Sequence, residues 1–139
     1  MKRYIFLLNF FSLCVHAITL EEQYPDFFDC KTDTYIERDT GFIHGEYFSE
    51  RKMTPCKQED SVAEFCVNDT FHGLPVTRIV IPDPLPVVAF YIDLPLYKVK
   101  SILKKNIGFN AKTGDSDTEP TIKKDGKDRT ILMCAPGDQ

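Results

Sequence analysis

Two apolar runs rich in β-branched residues stand out in the middle of the chain. They are TRIVI (77–81) and PVVAFYI (86–92). Pro82 and Pro84 lie between them, and Pro86 begins the second run. Runs of this composition predict strands. Proline cannot donate to a ladder, so the prolines predict a loop or a sheet edge between the strands. The second run is apolar at nearly every position, which predicts a strand covered on both faces.

The hydrophobic period changes in residues 95–109. Apolar residues recur there at intervals of three and four, at Leu96, Val99, Ile102 and Leu103. Pro95 stands at a first-turn position and Gly108 is a stop signal, as expected at helix boundaries. The pattern predicts an amphipathic helix over about 96–106.

Shorter β-rich segments lie on either side of these elements. Residues 33–37 and 41–48 predict a hairpin with Gly41 in its turn, while 27–30 predict a first strand and 130–134 a closing strand. Residues 61–67 fit either a strand or one helical turn.

The remaining segments are mostly polar. Residues 49–60 predict a charged loop or a short helix, and 110–129, with Ile122 as their one strongly apolar residue, predict a long mobile loop. The sum is an α+β domain: a small disulfide-stapled fold with a central antiparallel sheet and one or two short helices.

The first 17 residues have the pattern of a secretory signal peptide. Two basic residues precede a short apolar core, and Val15 and Ala17 occupy the small-residue positions before a cleavage site. The sequence therefore predicts a secreted chain with one domain over 18–139, no membrane-spanning segment and a monomeric state. Without Lys2 and Arg3, 15 basic and 21 acidic side chains remain. This negative balance disfavours RNA and favours a protein partner.

Four cysteines remain after Cys14 leaves with the signal peptide: Cys30, Cys56, Cys66 and Cys134. Four cysteines in a secreted domain predict two disulfides with three possible connectivities, and we favour Cys56–Cys66 nested inside Cys30–Cys134. The cysteines have no CxxC spacing, so no metal site is expected, and no cofactor motif is present. Asn68-Asp69-Thr70 is a candidate N-glycosylation sequon, which predicts a surface loop.

Several titratable residues could take part in phosphodiester cleavage, which needs a base, an acid and a cation. They are His44, His72, Glu59, Glu64, Arg78 and Asp93. Each also has a simpler role: a structural histidine, a charge at a strand end, or an aspartate that caps a helix. No GxSxG motif and no phosphate-binding glycine loop is present, which argues against serine hydrolases and P-loop enzymes.

The predicted helix carries a row of lysines. Lys98, Lys100, Lys104 and Lys105 give it a basic side that could meet phosphate or an acidic protein, although a solvated helix surface also accounts for them.

The aromatic-x-Cys motif FFDC (27–30), together with the late Cys134, resembles the small secreted RNase-like effectors of powdery mildew fungi. Those proteins look like catalytically decayed relatives of the secreted fungal guanyl-specific ribonucleases. In FHGLPVTRIVI, the residues that match the ribonuclease loop and strand are Phe71, Gly73, Pro75 and Arg78. In PVVAFYID, Asp93 stands where the ribonucleases carry their general-acid histidine. The first catalytic histidine has no clear equivalent, and His44 is the nearest candidate.

This resemblance implies a microbial-ribonuclease-like fold and a pseudoenzyme, because an ionised carboxylate cannot donate the proton that a leaving oxygen needs. We expect a secreted, effector-like binding protein of fungal type, without catalytic residues, that binds a host protein or, less favourably, RNA. The expected binding residues are Arg78, Asp93, Phe71, His72, Lys98 and Lys105. Two alternatives stay open: an active ribonuclease that uses His44, Glu59 and Arg78, and an unrelated secreted ligand or surface domain.

Overall fold

The computed structural model describes residues 16–37, 40–41, 43–83, 87–114 and 118–135, and within them an antiparallel sheet with the strand order β3-β4-β5-β6-β8-β7 forms the centre. The strands are β1 (Tyr35–Ile36), β2 (Ile43–His44), β3 (Lys57–Glu59), β4 (Val62–Phe71), β5 (Leu74–Pro82), β6 (Val88–Ile92), β7 (Thr121–Lys124) and β8 (Thr130–Cys134), and the helices are α1 (Leu20–Gln23), α2 (Glu46–Glu50) and α3 (Leu96–Ile107). The predicted signal peptide, apart from residues 16 and 17, and Pro84 and Pro86 lie outside the described residues. The predicted α+β class is confirmed.

The two apolar runs form neighbouring antiparallel strands, as predicted. Ile79 of β5 lies opposite Phe90 of β6, and both side chains are fully buried. The prediction that β6 is covered on both faces is wrong at Tyr91, which remains partly exposed. Alternate side chains of a strand point to opposite faces, so this exposure marks the face of the sheet that lacks a cover.

Helix α3 confirms the periodicity prediction. Pro95 occupies its N-cap position, and Gly108 ends it with φ +71°, a left-handed conformation that glycine adopts readily. Val99 and Leu103 are fully buried against the sheet, which leaves the lysines on the outer side.

One hydrophobic core lies between the helices and one face of the sheet, which we call the covered face. Its centre is an aromatic cluster in which the Phe27 ring stacks on Phe90 with centroids 5.0 Å apart and meets Phe71 edge-on at 5.2 Å. Offset and edge-to-face contacts of this kind add to the stabilisation from burial.

The predicted first strand at 27–30 is wrong, because Phe27–Asp29 form a 3₁₀ turn. In a strand, Phe27 and Phe28 would point to opposite sides. The turn lets both rings reach the same cluster, since Phe28 stacks on Phe71 at 5.9 Å while Phe27 stacks on Phe90.

The prediction of a long loop over 110–129 is also wrong. Residues 121–124 form β7 at the edge of the sheet, where Ile122 pairs with Leu132 and is fully buried. An edge strand with one buried face needs few apolar residues, so the hydrophobic pattern was too sparse to reveal it. The lysines that follow, Lys123 and Lys124, are typical of a sheet edge protected against further pairing.

The predicted hairpin is confirmed at β1 and β2, with Ile36 opposite Ile43. It ends earlier than predicted, because residues 46–50 form α2. The Gln23 side chain accepts the Tyr47 backbone N–H at 2.9 Å, which satisfies a donor at the start of the helix. Residues 57–59 of the predicted charged segment form β3, and residues 62–67 belong to the long strand β4.

Both disulfides have the nested connectivity that the sequence favoured. Cys30 is joined to Cys134 across 104 residues, and Cys56 to Cys66 across 10. The first bridge is buried and ties the 3₁₀ turn to β8, whereas the second is exposed and ties the segment before β3 to β4. The disulfides therefore cross-link the chain once in the core and once near one edge of the sheet.

Gly73 in the β4–β5 turn should resist substitution. Its φ is +83°, and a Cβ there would lie 2.6 Å from Nδ2 of Asn106, which donates to the His72 carbonyl at 2.8 Å. We expect Gly73→Ala to lower the free energy of unfolding by about 1–2 kcal/mol, because alanine is strained in this left-handed backbone conformation. Disturbing the Asn106 hydrogen bond should lower it further. Urea unfolding measures this loss. Gly126→Ala is the control, because Gly126 also has a positive φ but nothing within 4 Å. Equal losses in both variants would show that the Asn106 contact is unimportant.

Candidate functional site

The side of the sheet opposite the covered face carries a mixture of charged and apolar side chains, and we call it the open face. None of the described helices packs there, since their buried side chains belong to the core of the covered face. The strand pairing places eight of its residues on adjacent strands: Val62, Glu64, Arg78, Val80, Ala89, Tyr91, Ile131 and Met133.

Arg78 lies near the middle of the open face. Its Nη1 atom is 3.3 Å from Oε2 of Glu64 on β4, and its guanidinium carbon lies 4.2 Å from the ring centroid of Tyr91 on β6. The side chain is 31% exposed and that of Glu64 is 20% exposed. The ion pair and the cation–π contact hold the arginine in one place while its edge remains accessible.

The charged row continues from Glu64 to the edge strand β3. Lys57 lies opposite Glu64, and its Nζ atom is 2.8 Å from Oε1 of Glu59. The hydrogen bond from Lys57 lowers the pKa of Glu59, and the same bond raises the pKa of Lys57. Glu59 is therefore a poorer proton acceptor than an ordinary glutamate, which weakens its candidacy as a catalytic base.

Neither of the two candidate histidines, His44 and His72, lies on the open face. His44 is in β2 of the separate two-stranded sheet, where its ring stacks on Tyr35 with centroids 4.1 Å apart. His72 is in the β4–β5 turn with φ +49° and contacts Phe28 and Phe71. Its backbone N–H donates to Glu21, so His72 holds the turn against α1.

Phe71, expected to contact a ligand, is fully buried in the aromatic cluster. It is a core residue with no surface to offer, and that expectation is corrected. Asp93 directly follows β6, two residues after Tyr91, and is exposed. Pro95, not Asp93, is the N-cap of α3, and no side-chain cap hydrogen bond is present there.

The lysines of α3 belong to a different surface. Lys98 and Lys105 are exposed on the outer side of a helix that packs on the covered face, so the sheet separates them from Arg78. The expected binding residues therefore lie on more than one surface, and one of them lies in the core.

The sequon lies in a strand rather than in the predicted loop. Asn68 is exposed at a β-bulge between Cys66 and Asp69, where β4 carries more residues than its partner β5. The bulge also turns Asp69 toward α2, where it accepts a hydrogen bond from the Tyr47 hydroxyl at 2.8 Å.

Comparisons with protein-family models, with curated proteins and with solved structures found no match for this chain. In the described part of the chain, no three His, Cys, Asp or Glu side chains cluster as a metal site would require. The same residues include no helix long and apolar enough to cross a bilayer.

Sequence reasoning named Glu64 only as a candidate base and missed Tyr91, and it paired neither of them with Arg78. The signal was present in the alternation of β4, where Ala63 and Phe65 are buried and Glu64 between them must point the other way. Tyr91, between the buried Phe90 and Ile92, carries the same signal. Strand register, which decides that the two face Arg78, is not visible in the sequence.

Two buried tyrosines should make the fold sensitive to alkali. Burial raises the pKa of Tyr24 and of Tyr47, and the hydrogen bond to Asp69 raises the latter further. An unfolded tyrosine ionises near pH 10, so the unfolded state loses protons first. The stability contributed by the neutral phenols is complete below about pH 10 and is lost as the pH rises above it, by up to about 1.4 kcal/mol per pH unit for each tyrosine.

Urea unfolding between pH 8 and pH 11 measures this dependence. Tyr47→Phe should flatten the alkaline decline, whereas Tyr97→Phe should leave it unchanged because Tyr97 is 69% exposed. An alkaline decline that is the same in all three proteins would contradict the assignment.

Proposed function

We propose that this protein is a secreted, non-catalytic binding domain of the RNase-like effector type, and that its open face around Arg78 binds a host protein. The observation that carries the proposal is the arrangement of Arg78 on an uncovered sheet surface, paired with Glu64 and stacked on Tyr91.

The chemistry of the open face favours a protein partner. Tyrosine and arginine are the residue types that most often dominate the binding energy of protein interfaces. Val80, Ala89 and Met133 form the next row of the sheet. Ala89 is buried, while the partly exposed Val80 and Met133 provide an apolar surface beside Arg78. The ion pair restrains the arginine before binding, so little side-chain entropy is lost when a partner docks.

The same arrangement gives little support to catalysis. Glu64 already neutralises Arg78 locally, which reduces the attraction of a phosphate for the guanidinium. Asp93 stands where the resembling ribonucleases have a general-acid histidine, and a carboxylate at that position would repel a phosphate. His44 and Glu59 lie in two other elements, each engaged by a neighbour.

The predicted signal peptide and the two disulfides support a secreted location, because disulfides persist in oxidising compartments. The fungal and effector assignments rest on the resemblance of FFDC, FHGLPVTRIVI and PVVAFYID.

An RNA cleavage assay with the disulfide-bonded protein tests the non-catalytic part of the proposal. We expect no cleavage of single-stranded RNA above the level of a buffer blank, with folding verified by circular dichroism. Cleavage that disappears in Arg78→Ala would overturn the proposal and identify a ribonuclease.

Site-specific cross-linking tests the binding part. A photoreactive benzoylphenylalanine replaces Tyr91 in one protein and, as the matched control, Tyr35 in another, since Tyr35 is 48% exposed on the small hairpin. We expect a discrete adduct in host-tissue extract from position 91 alone, and its loss when Arg78→Ala is added. Adducts of equal yield from both positions, or indifference to Arg78→Ala, would contradict the open face as the binding surface.

A further inference from the structure

The chain divides into an acidic and a basic part. Residues 18–93 carry 6 basic and 15 acidic side chains, whereas residues 94–135 carry 9 basic and 5 acidic ones. The net negative charge therefore comes from the first part, and the second part is cationic. Helix α3 concentrates this charge, because it holds four lysines and no acidic residue.

The outer side of α3 contains a shallow groove of about 340 Å³ that is lined by Tyr97, Lys100, Ser101, Lys104, Asn110 and Ala111. Tyr97 is 69% exposed, the largest exposure among the big hydrophobic side chains described. Tyr97, Lys100 and Lys104 follow one another at intervals of three and four residues, so an aromatic ring and two ammonium groups form one row along the helix.

No ion pair with a described residue neutralises these lysines. By contrast, Lys112 pairs with Glu119 at 2.6 Å and Arg129 with Asp125 at 3.3 Å. Two cations near β7 are thus paired with carboxylates, whereas the lysines of α3 have no carboxylate partner among the described residues.

The shape and charge of this groove fit an acidic peptide segment. Same-side residues of an extended peptide recur about every 6.8 Å, close to the roughly 5–6 Å between neighbours three or four positions apart on a helix. An apolar residue followed by two acidic residues at alternate positions would place its side chains over Tyr97, Lys100 and Lys104. A long nucleic acid fits less well, because its affinity depends on many phosphate contacts and the chain has a net charge of −4.

We propose that the Tyr97–Lys100–Lys104 groove is a second interaction surface, separated by the sheet from the open face, and that it binds an extended acidic segment of a partner protein containing an apolar residue. This inference does not depend on the open face. Its failure and that of the proposed function can therefore be told apart.

Fluorescence anisotropy with the whole secreted domain tests the groove. The probe is a labelled peptide GLSESESE, with GSSESESE as the probe of equal charge that lacks the leucine and octauridylate as the nucleic-acid probe. We expect saturable binding of GLSESESE that weakens with added salt, and binding several-fold weaker for GSSESESE because the apolar contact with Tyr97 is missing.

Lys100→Glu/Lys104→Glu should weaken binding of GLSESESE by about tenfold or more, because two attractions become repulsions. The control variant Lys31→Glu/Lys52→Glu changes the net charge by the same amount, but at exposed positions of the acidic part. It should change the affinity for GLSESESE by less than about twofold. Arg78→Ala should have no effect. Equal losses in both double variants, tighter binding of octauridylate, or no saturable binding at low salt would each overturn the inference.

Discussion

Replacing Cys30 and Cys134 by serine should produce a severe loss of stability. We expect the free energy of unfolding to fall by roughly 4–5 kcal/mol, because the bridge closes a loop of about 100 residues in the unfolded chain. Both half-cystines are nearly or fully buried, so two hydroxyl groups would also enter the core without the bond that joins the 3₁₀ turn to β8. The free energy of unfolding of a native protein is typically about 5–15 kcal/mol, so the variant would be only marginally stable.

Denaturant unfolding measures the loss, and the second disulfide supplies the control. Cys56→Ser/Cys66→Ser opens a loop of only 10 residues between exposed half-cystines and should cost about 2–3 kcal/mol. If the two double variants were equally stable, loop closure would not be the main contribution of the buried bridge.

Phe27→Ala should have the next largest effect, a loss of about 3–5 kcal/mol. The Phe27 ring is fully buried and touches the rings of Tyr24, Phe28, Phe71 and Phe90, so its removal leaves a cavity at the junction of the 3₁₀ turn with β4 and β6. Close packing prevents the neighbouring rings from filling that space completely.

Unfolding in urea, followed by near-ultraviolet circular dichroism, reports both the stability and the order of the aromatic cluster. Tyr97→Ala removes an aromatic ring of similar size from an exposed position and should change stability by less than about 0.5 kcal/mol. A small effect of Phe27→Ala would mean that the cluster can repack around the missing ring.

The parts of the fold that the sequence predicted are those in which local pattern and tertiary packing agree. The runs at 77–81 and 86–92 became β5 and β6, and the three-four spacing between Pro95 and Gly108 became α3. In these elements the burial pattern repeats over several residues, so it overrides the weaker preferences of single positions.

The wrong predictions concern segments whose conformation is determined by tertiary contacts. The Phe27–Phe28 pair has strand-like composition, but its shape follows from two rings that must enter one cluster. Ile122 alone defines the buried face of β7, and only the neighbouring strand β8 makes that segment a strand. No local signal distinguishes these cases from a strand and a loop.

The candidate site was predicted in part. Arg78 was singled out from its position at the start of an apolar run, and it lies on the open face. The sequence does not show which face of the sheet a later helix covers, so it could not reveal that Lys98 and Lys105 lie on a different surface from Arg78.

The covalent link between Cys30 and Cys134 also changes what a protease can accomplish. Residues 30–134, joined through the sulfur atoms, form a closed ring, and cutting one peptide bond opens a ring without releasing a fragment. A nick in an exposed segment such as 112–114 would leave both pieces attached and β8 in place between β6 and β7. Such a nicked molecule would migrate as a full-length chain until its disulfides are reduced, so a single cut would neither separate the two pieces nor remove a strand from the sheet.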